Sequence, residues 1–86
     1  WAQPLDSPPF RAYPVTGGIT FTFGGLRVDQ NAQVLANDWT LIEGLYTCGE
    51  MVGGLFHHNY PGGSGLTSGA VFGRIAGRAA AESAAF

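Results

Sequence analysis

Lysine is absent from this chain, and Arg11, Arg27, Arg74 and Arg78 carry all of its fixed positive charge. Against the acidic residues they leave a formal net charge of −2. No basic stripe of the kind that tracks a phosphate backbone is present, so no nucleic-acid partner is expected. Cysteine is nearly absent too. Cys48 stands alone, which rules out an internal disulfide and a cysteine-based metal cluster. It lies in the apolar run Leu45-Tyr46-Thr47-Cys48, where it reads as a small buried hydrophobe rather than a nucleophile. No stretch of ~20 apolar residues occurs, so no membrane-spanning helix is expected. The first residues, Trp1-Ala2-Gln3-Pro4, lack the basic and apolar regions of a secretory signal. The expected location is the cytoplasm.

Glycine, by contrast, is in excess. It makes up 14 of 86 residues, about double the usual share of roughly 7%. Ten of the 14 fall between Gly44 and Gly77, so the excess belongs to one site rather than to linkers. The apolar content of 45% is ordinary for a globular chain. At this length one domain with a small core is the upper limit.

Residues 1–16 hold Pro4, Pro8, Pro9 and Pro14, which cannot donate to a sheet and disfavour helix before them. This irregular segment is expected to pack through Trp1, Phe10 and Tyr13. Residues 17–49 read as β-rich. Residues 18–23 alternate apolar and polar with period two, as a strand does. Gly24-Gly25 interrupts them, where a bulge or a close approach of backbone is expected. Residues 26–28 and 33–35 form a hairpin around Asp29-Gln30-Asn31-Ala32, whose Asp and Asn can bond their own backbone. Residues 39–42 are a short strand or a connection, and 45–49 are the expected buried strand. A loop over 50–64 follows, carrying Glu50, Phe56, His57, His58, Asn59 and Tyr60.

Residues 65–84 read as one helix with Ser64 as its N-cap. Gly65, Gly69, Gly73 and Gly77 recur every fourth residue and form a stripe on one face. Each helical glycine costs up to ~1 kcal/mol relative to alanine. The stripe therefore predicts close approach to something flat or bulky. The fold class is α+β or α/β: a short hairpin and strands followed by one long helix.

The helix start presents the backbone N–H groups of Ser64, Gly65, Leu66 and Thr67, and the helix dipole adds about half a positive charge. Phosphate, carboxylate or developing charge on a ring atom would suit it; a mere tight glycine-rich turn would serve equally. The Gly-Lys-Ser/Thr ending of a P-loop is missing, and the spacing of a GxGxxG fingerprint fails. His57 and His58 are adjacent and diverge, with no carboxylate at ligand spacing, so no metal site is expected. His58 is a candidate substrate contact. Tyr60 is a packed ring or a proton donor, its backbone restricted by Pro61. Glu50 follows a strand directly, where α/β proteins bind ligands; it is a hydroxyl acceptor or a solvated loop acid.

The run Gly44-Leu45-Tyr46-Thr47-Cys48-Gly49-Glu50, then Gly53-Gly54, then Asn59-Tyr60-Pro61-Gly62-Gly63-Ser64 and the striped helix resembles a known family. It is similar to the C-terminal end of the FAD-dependent flavoproteins of the fumarate reductase and succinate dehydrogenase family. Gly24-Gly25-Leu26-Arg27-Val28-Asp29 resembles a hairpin of that family. The resemblance covers about Thr16 to Ala81. Its loop is most similar to tricarballylate dehydrogenase-like members, and its Tyr-Pro-Gly run to 3-ketosteroid dehydrogenase-like ones.

The resemblance implies a part of an FAD-binding Rossmann-like domain. Gly49 and Glu50 would contact the ribityl or adenosine side of FAD. Ser64, Gly65, Leu66 and Thr67 would face the pyrimidine edge of the ring and stabilise negative charge there. Tyr60 would polarise or deprotonate the substrate, with His58 beside it. Two departures argue against fumarate itself. Tyr60 stands where fumarate reductases carry a substrate-binding arginine, and Thr20-Phe21-Thr22 stands where they carry a histidine. The implied parent is an oxidoreductase acting on the CH–CH bond of a small carboxylic acid or ketone. The chain itself lacks the nucleotide fingerprint, so it is expected to be a C-terminal fragment, inactive alone, that binds FAD and substrate only with the rest of its parent. Homo-oligomers through exposed apolar surface would follow. The alternatives are a stand-alone module for a small anion and an inert self-associating fragment.

Overall fold

The computed structural model describes residues 2–85. The expected packing of Trp1 lies outside the described residues. Among the described residues the elements in chain order are strand β1 (Gln33–Leu35), strand β2 (Leu41–Tyr46), a 3-10 turn (Gly49–Met51) and helix α1 (Ser64–Ala84). No helix among the described residues is long and apolar enough to cross a membrane.

β1 and β2 pair antiparallel, with Gln33 opposite Tyr46, Leu35 opposite Leu41, and a register irregularity between. Short polar side chains shape the turns at both ends of β1. Before it, the Asp29 carboxylate accepts the N–H groups of Asn31 and Gln33, each at 2.9 Å. After it, the Asp38 carboxylate accepts the Thr40 N–H at 3.1 Å and the Thr40 hydroxyl at 2.7 Å. These are side-chain mimics of backbone turns. Trp39 has a φ of 69°, a left-handed conformation uncommon for a bulky residue. The Arg27 guanidinium covers its ring at 4.4 Å in a cation–π contact.

The expected hairpin of 26–28 with 33–35 exists as a single antiparallel bridge, Val28 with Val34, supported by the Leu35 N–H to the Arg27 carbonyl at 2.9 Å. The full ladder partner of 33–35 is β2. Residues 18–23 are not a strand. Among the described residues no strand pairs with them, so their alternation has no ladder to join. The period survives in another form: Phe21 and Phe23 point the same way, their rings stacked 5.7 Å apart. The expected buried strand over 45–49 is also corrected. The strand ends at Tyr46, Leu41 to Leu45 are exposed, and burial falls on Thr47. Cys48 is exposed rather than buried. β1 pairs along one edge of β2.

Ala32, Val34, Val52 and Ala76 are the buried apolar residues among those described. Residues 2–20 are exposed throughout, so the expected packing of Phe10 and Tyr13 is not found. What ties the body together is a parallel bridge between Leu26 and Val52. The Leu26 N–H donates to the Met51 carbonyl at 2.7 Å, and the Gly53 N–H to the Leu26 carbonyl at 3.0 Å. Beside it two backbones touch. A Cβ at Gly25 would lie 2.5 Å from the Met51 carbonyl oxygen, and one at Gly53 would lie 2.6 Å from the Gly25 nitrogen. This is the close approach expected at Gly24-Gly25, located at Gly25.

α1 starts one residue from where its composition places it. Gly63 is the N-cap, with φ 82°, and Ser64 is the first helical residue. The Ser64 hydroxyl donates to the Pro61 carbonyl and so cannot cap the helix N–H groups. The glycine stripe faces the 3-10 turn, yet only Gly65 lacks room for a side chain. A Cβ at Gly69 would sit 3.7 Å from the Gly49 Cα, and one at Gly73 would sit 3.8 Å from the Cys48 Sγ, both ordinary contacts. Gly77 faces open space.

Gly25→Ala and Gly53→Ala should each lower stability by roughly 1–3 kcal/mol, the range for overpacking a tight contact. Gly77→Ala should raise it by up to ~1 kcal/mol through helix propensity. Urea unfolding midpoints of the three variants check both signs. The Thr40 hydroxyl and N–H also hold the Asp38 carboxyl below its ordinary value. A depressed carboxyl stabilises the turn above the ordinary carboxylate range and loses that contribution as pH falls through the depressed value. Thr40→Val should return the Asp38 midpoint towards normal in an NMR titration.

Candidate functional site

A cavity of about 280 Å³ lies between the 3-10 turn, the loop before α1, Phe21-Thr22 and the first turn of α1. A shallower groove continues from it past Glu50 towards Gly24 and Gly25. The bridge between Leu26 and Val52 sets this geometry, because it fixes the 3-10 turn against the segment that precedes β1. Of the residues expected at a site, Gly49, Glu50, Tyr60, Gly65 and Leu66 line the cavity. His58, Ser64 and Thr67 do not. His58 is exposed, its ring 4.0 Å from that of His57.

Glu50 opens the 3-10 turn's exposed side. Its Oε1 accepts the backbone N–H of Thr22 at 2.8 Å. An ionised carboxylate has further acceptor positions, and Oε2 has no protein donor among the described residues. The carboxylate thus pins the N-terminal segment and still presents an acceptor to the cavity.

The first turn of α1 differs from the expected row of four free donors. The Ser64 N–H donates to the Pro61 carbonyl at 3.1 Å and the Thr67 N–H to the Gly63 carbonyl at 3.2 Å. The Gly65 N–H donates to the Tyr60 hydroxyl at 2.9 Å. Only the Leu66 N–H lacks a protein acceptor among the described residues. The reason is the return of the loop: Tyr60 places its own oxygen where a ligand oxygen would stand. Gly65 makes this possible, since a Cβ there would lie 2.7 Å from that oxygen.

Tyr60 is held from its other side by aromatic rings. Its centroid lies 4.2 Å from Phe21 and 5.0 Å from Phe56, and Phe56 lies 5.8 Å from Phe23. Phe21, Thr22 and Ser68 were not expected at the site. The period of two that puts Phe21 and Phe23 on one side is the signal that could have found the first. The Ser68 hydroxyl is buried beside the cavity without a partner among the described residues.

Residues 2–66 match the family model described as FAD binding domain. The chain belongs to this family. FAD is the family's cofactor, and the matched residues include the whole cavity lining except Ser68. The chain is 43% identical over 80 residues to "Fumarate reductase" of Schizosaccharomyces pombe, covering 92% of this chain and 16% of that protein. It is 38% identical over 78 residues to "NADH:acrylate oxidoreductase" of Vibrio harveyi, covering 91% of this chain and 8% of that protein. "Urocanate reductase" of Eggerthella lenta is 36% identical over 79 residues, 92% of this chain and 13% of that protein. The chain thus spans a small part of the curated relatives it matches. These relatives agree with the resemblance to fumarate reductase-type flavoproteins. No solved structure matches the chain.

Tyr60→Phe removes the acceptor of the Gly65 N–H and leaves the ring stack. Hydrogen exchange at Gly65, read by NMR, should speed up by roughly fivefold, the equivalent of ~1 kcal/mol for one hydrogen bond. Exchange at Thr67 should not change.

Proposed function

We propose that this chain is the C-terminal part of an FAD-dependent oxidoreductase that acts on the CH–CH bond of a small carboxylic acid or ketone. The observation that carries the reading is the cavity itself. Within a family match it joins the carboxylate of Glu50, the start of α1 and the Tyr60 hydroxyl around one volume. The residues fit the flavin end of FAD. Gly49 and Gly65 present no side chains to the cavity, the aromatic rings offer faces for a flat ring, and the Leu66 N–H is an unpartnered donor. Bound FAD supplies hydride transfer.

Each residue then has a task. Glu50, with Gly49, accepts hydrogen bonds from the ribityl or adenosine hydroxyls. Leu66, in the turn that Ser64 and Thr67 complete, directs its N–H and the helix dipole at the electron-rich edge of the ring. Tyr60 accepts the Gly65 N–H, which leaves its own O–H to donate to a substrate oxygen or to pass a proton there. His58 stands outside the cavity on the same loop, as a substrate contact at its mouth.

The rest of the parent, which makes up most of the length of the relatives, would provide the Rossmann-like nucleotide half and cap the substrate. Its cover would account for the exposed Leu41, Ile42, Leu45 and Leu66. Alone, the chain is inactive and self-associates through that surface. The Tyr-Pro-Gly run favours tricarballylate dehydrogenase-like or 3-ketosteroid dehydrogenase-like members over fumarate reductases, and a cytoplasmic location goes with this reading. A stand-alone anion module is disfavoured, because a single first-turn donor is free.

The parent, purified, should be yellow and release FAD on denaturation. Glu50→Gln should weaken FAD binding about tenfold to a hundredfold, the range for a hydrogen bond to a charged group. Equilibrium dialysis measures it. A colourless parent without flavin overturns the reading.

A further inference from the structure

Residues 18–23 carry a strand's alternation without a strand's ladder, and the backbone N–H of Thr22 shows where one of their donors goes instead. It donates to the Glu50 carboxylate oxygen Oε1 at 2.8 Å, across 28 residues of sequence. Among the described residues this N–H has no backbone acceptor. The Thr22 side chain takes no part in the bond, since its hydroxyl donates to the Gly24 carbonyl at 3.3 Å. Thr22 is held through both neighbours. The Phe21 ring packs on Tyr60 at 4.2 Å and the Phe23 ring on Phe56 at 5.8 Å. Further along, the Gly25 backbone is in close contact with that of Gly53. The donor is therefore carried by a fixed backbone, whereas its acceptor sits at the end of a long, exposed side chain. Left free, such a side chain samples many rotamers, and a ligand that binds it must overcome the loss of that freedom. Thr22 and Glu50 both line the cavity and the groove that continues from it.

We propose that Thr22 is a positioning residue for FAD. Its main-chain N–H holds Oε1 and so fixes the Glu50 carboxylate, with Oε2 left as the acceptor for the cofactor's hydroxyls. The inference rests on the flavoprotein reading above and adds to it the source of the orientation of Glu50. A carboxylate oriented in advance accepts a hydroxyl without first being ordered, and an N–H bonded to an ionised oxygen holds more firmly than one bonded to a neutral acceptor. The position requires an N–H and no particular side chain, so it excludes proline alone.

The test uses the full-length parent, with FAD affinity read by equilibrium dialysis. Thr22→Pro removes the donor and should weaken FAD about threefold to tenfold, the range for one net hydrogen bond. Thr22→Ala, which keeps the N–H, should retain the unsubstituted affinity. In a Glu50→Ala background, Thr22→Pro should weaken FAD no further, because the group it positions is gone. Hydrogen exchange at the Thr22 N–H gives a readout that needs no proline. It should speed up by about threefold or more in Glu50→Ala, and it should not speed up when FAD binds the unsubstituted parent. Unchanged affinity in Thr22→Pro, an equal loss in Thr22→Ala, or the full factor retained in the Glu50→Ala background overturns the inference, while a yellow parent keeps the flavoprotein reading. Should Thr22→Pro not fold, exchange decides: a Thr22 N–H indifferent to Glu50→Ala, or one that FAD sets free, overturns it as well. A parent that binds no FAD overturns the flavoprotein reading itself and this inference with it.

Discussion

Two backbones that meet without side chains between them hold this molecule together. Gly25 and Gly53 lie so close that a single methyl group on either would enter the other's peptide unit. The contact allows Leu26 and Val52 to form a parallel bridge across segments that the hairpin of β1 and β2 separates. With few apolar residues buried, little else fixes the 3-10 turn against the segment before β1. The cavity walls are the two sides of that joint, so the site inherits its dimensions from a steric minimum rather than from a packed core.

At the site, polar and aromatic groups divide the work. The carboxylate of Glu50, the α1 start and the rings of Phe21, Phe56 and Tyr60 all line the one cavity. Tyr60 belongs to both, since its hydroxyl takes the Gly65 N–H while its ring stacks. A helix start that would otherwise attract any small anion is thus partly quenched from within. What it retains is one donor at Leu66 and a phenol whose position is set by two independent contacts.

Much of this was legible in the sequence. α1 was readable from the helix propensity of its tail and the serine at its start, although Gly63 and not Ser64 is the cap. The turn at Asp29 was readable because short polar side chains act locally, and the tight approach because adjacent glycines interrupt an apolar alternation. Gly49, Glu50 and Tyr60, each expected at a site, line one cavity. The failures share one cause. Residues 18–23 and 45–49 have strand-like patterns, but whether such a pattern pairs or is covered depends on what lies across from it, which periodicity does not encode. Cys48 was misread for the same reason. The lost donors of α1 were hidden because their partner, Tyr60, reaches back over a loop by a path no spacing rule describes.

The hydrogen bond from Thr22 to Glu50 spans 28 residues of sequence and joins the wall to the carboxylate. Its consequence is thermodynamic. One carboxylate orders the 21–23 segment through Oε1 and, in the reading proposed above, meets a guest through Oε2, so the two equilibria share a group. A guest that leaves Oε1 to Thr22 binds a wall already in place, whereas one that takes Oε1 must also release it. By reciprocity, whatever tightens the segment's hold on the carboxylate alters the guest's affinity by the same factor. In that reading the backbone of Thr22 bears on a guest's affinity without touching the guest.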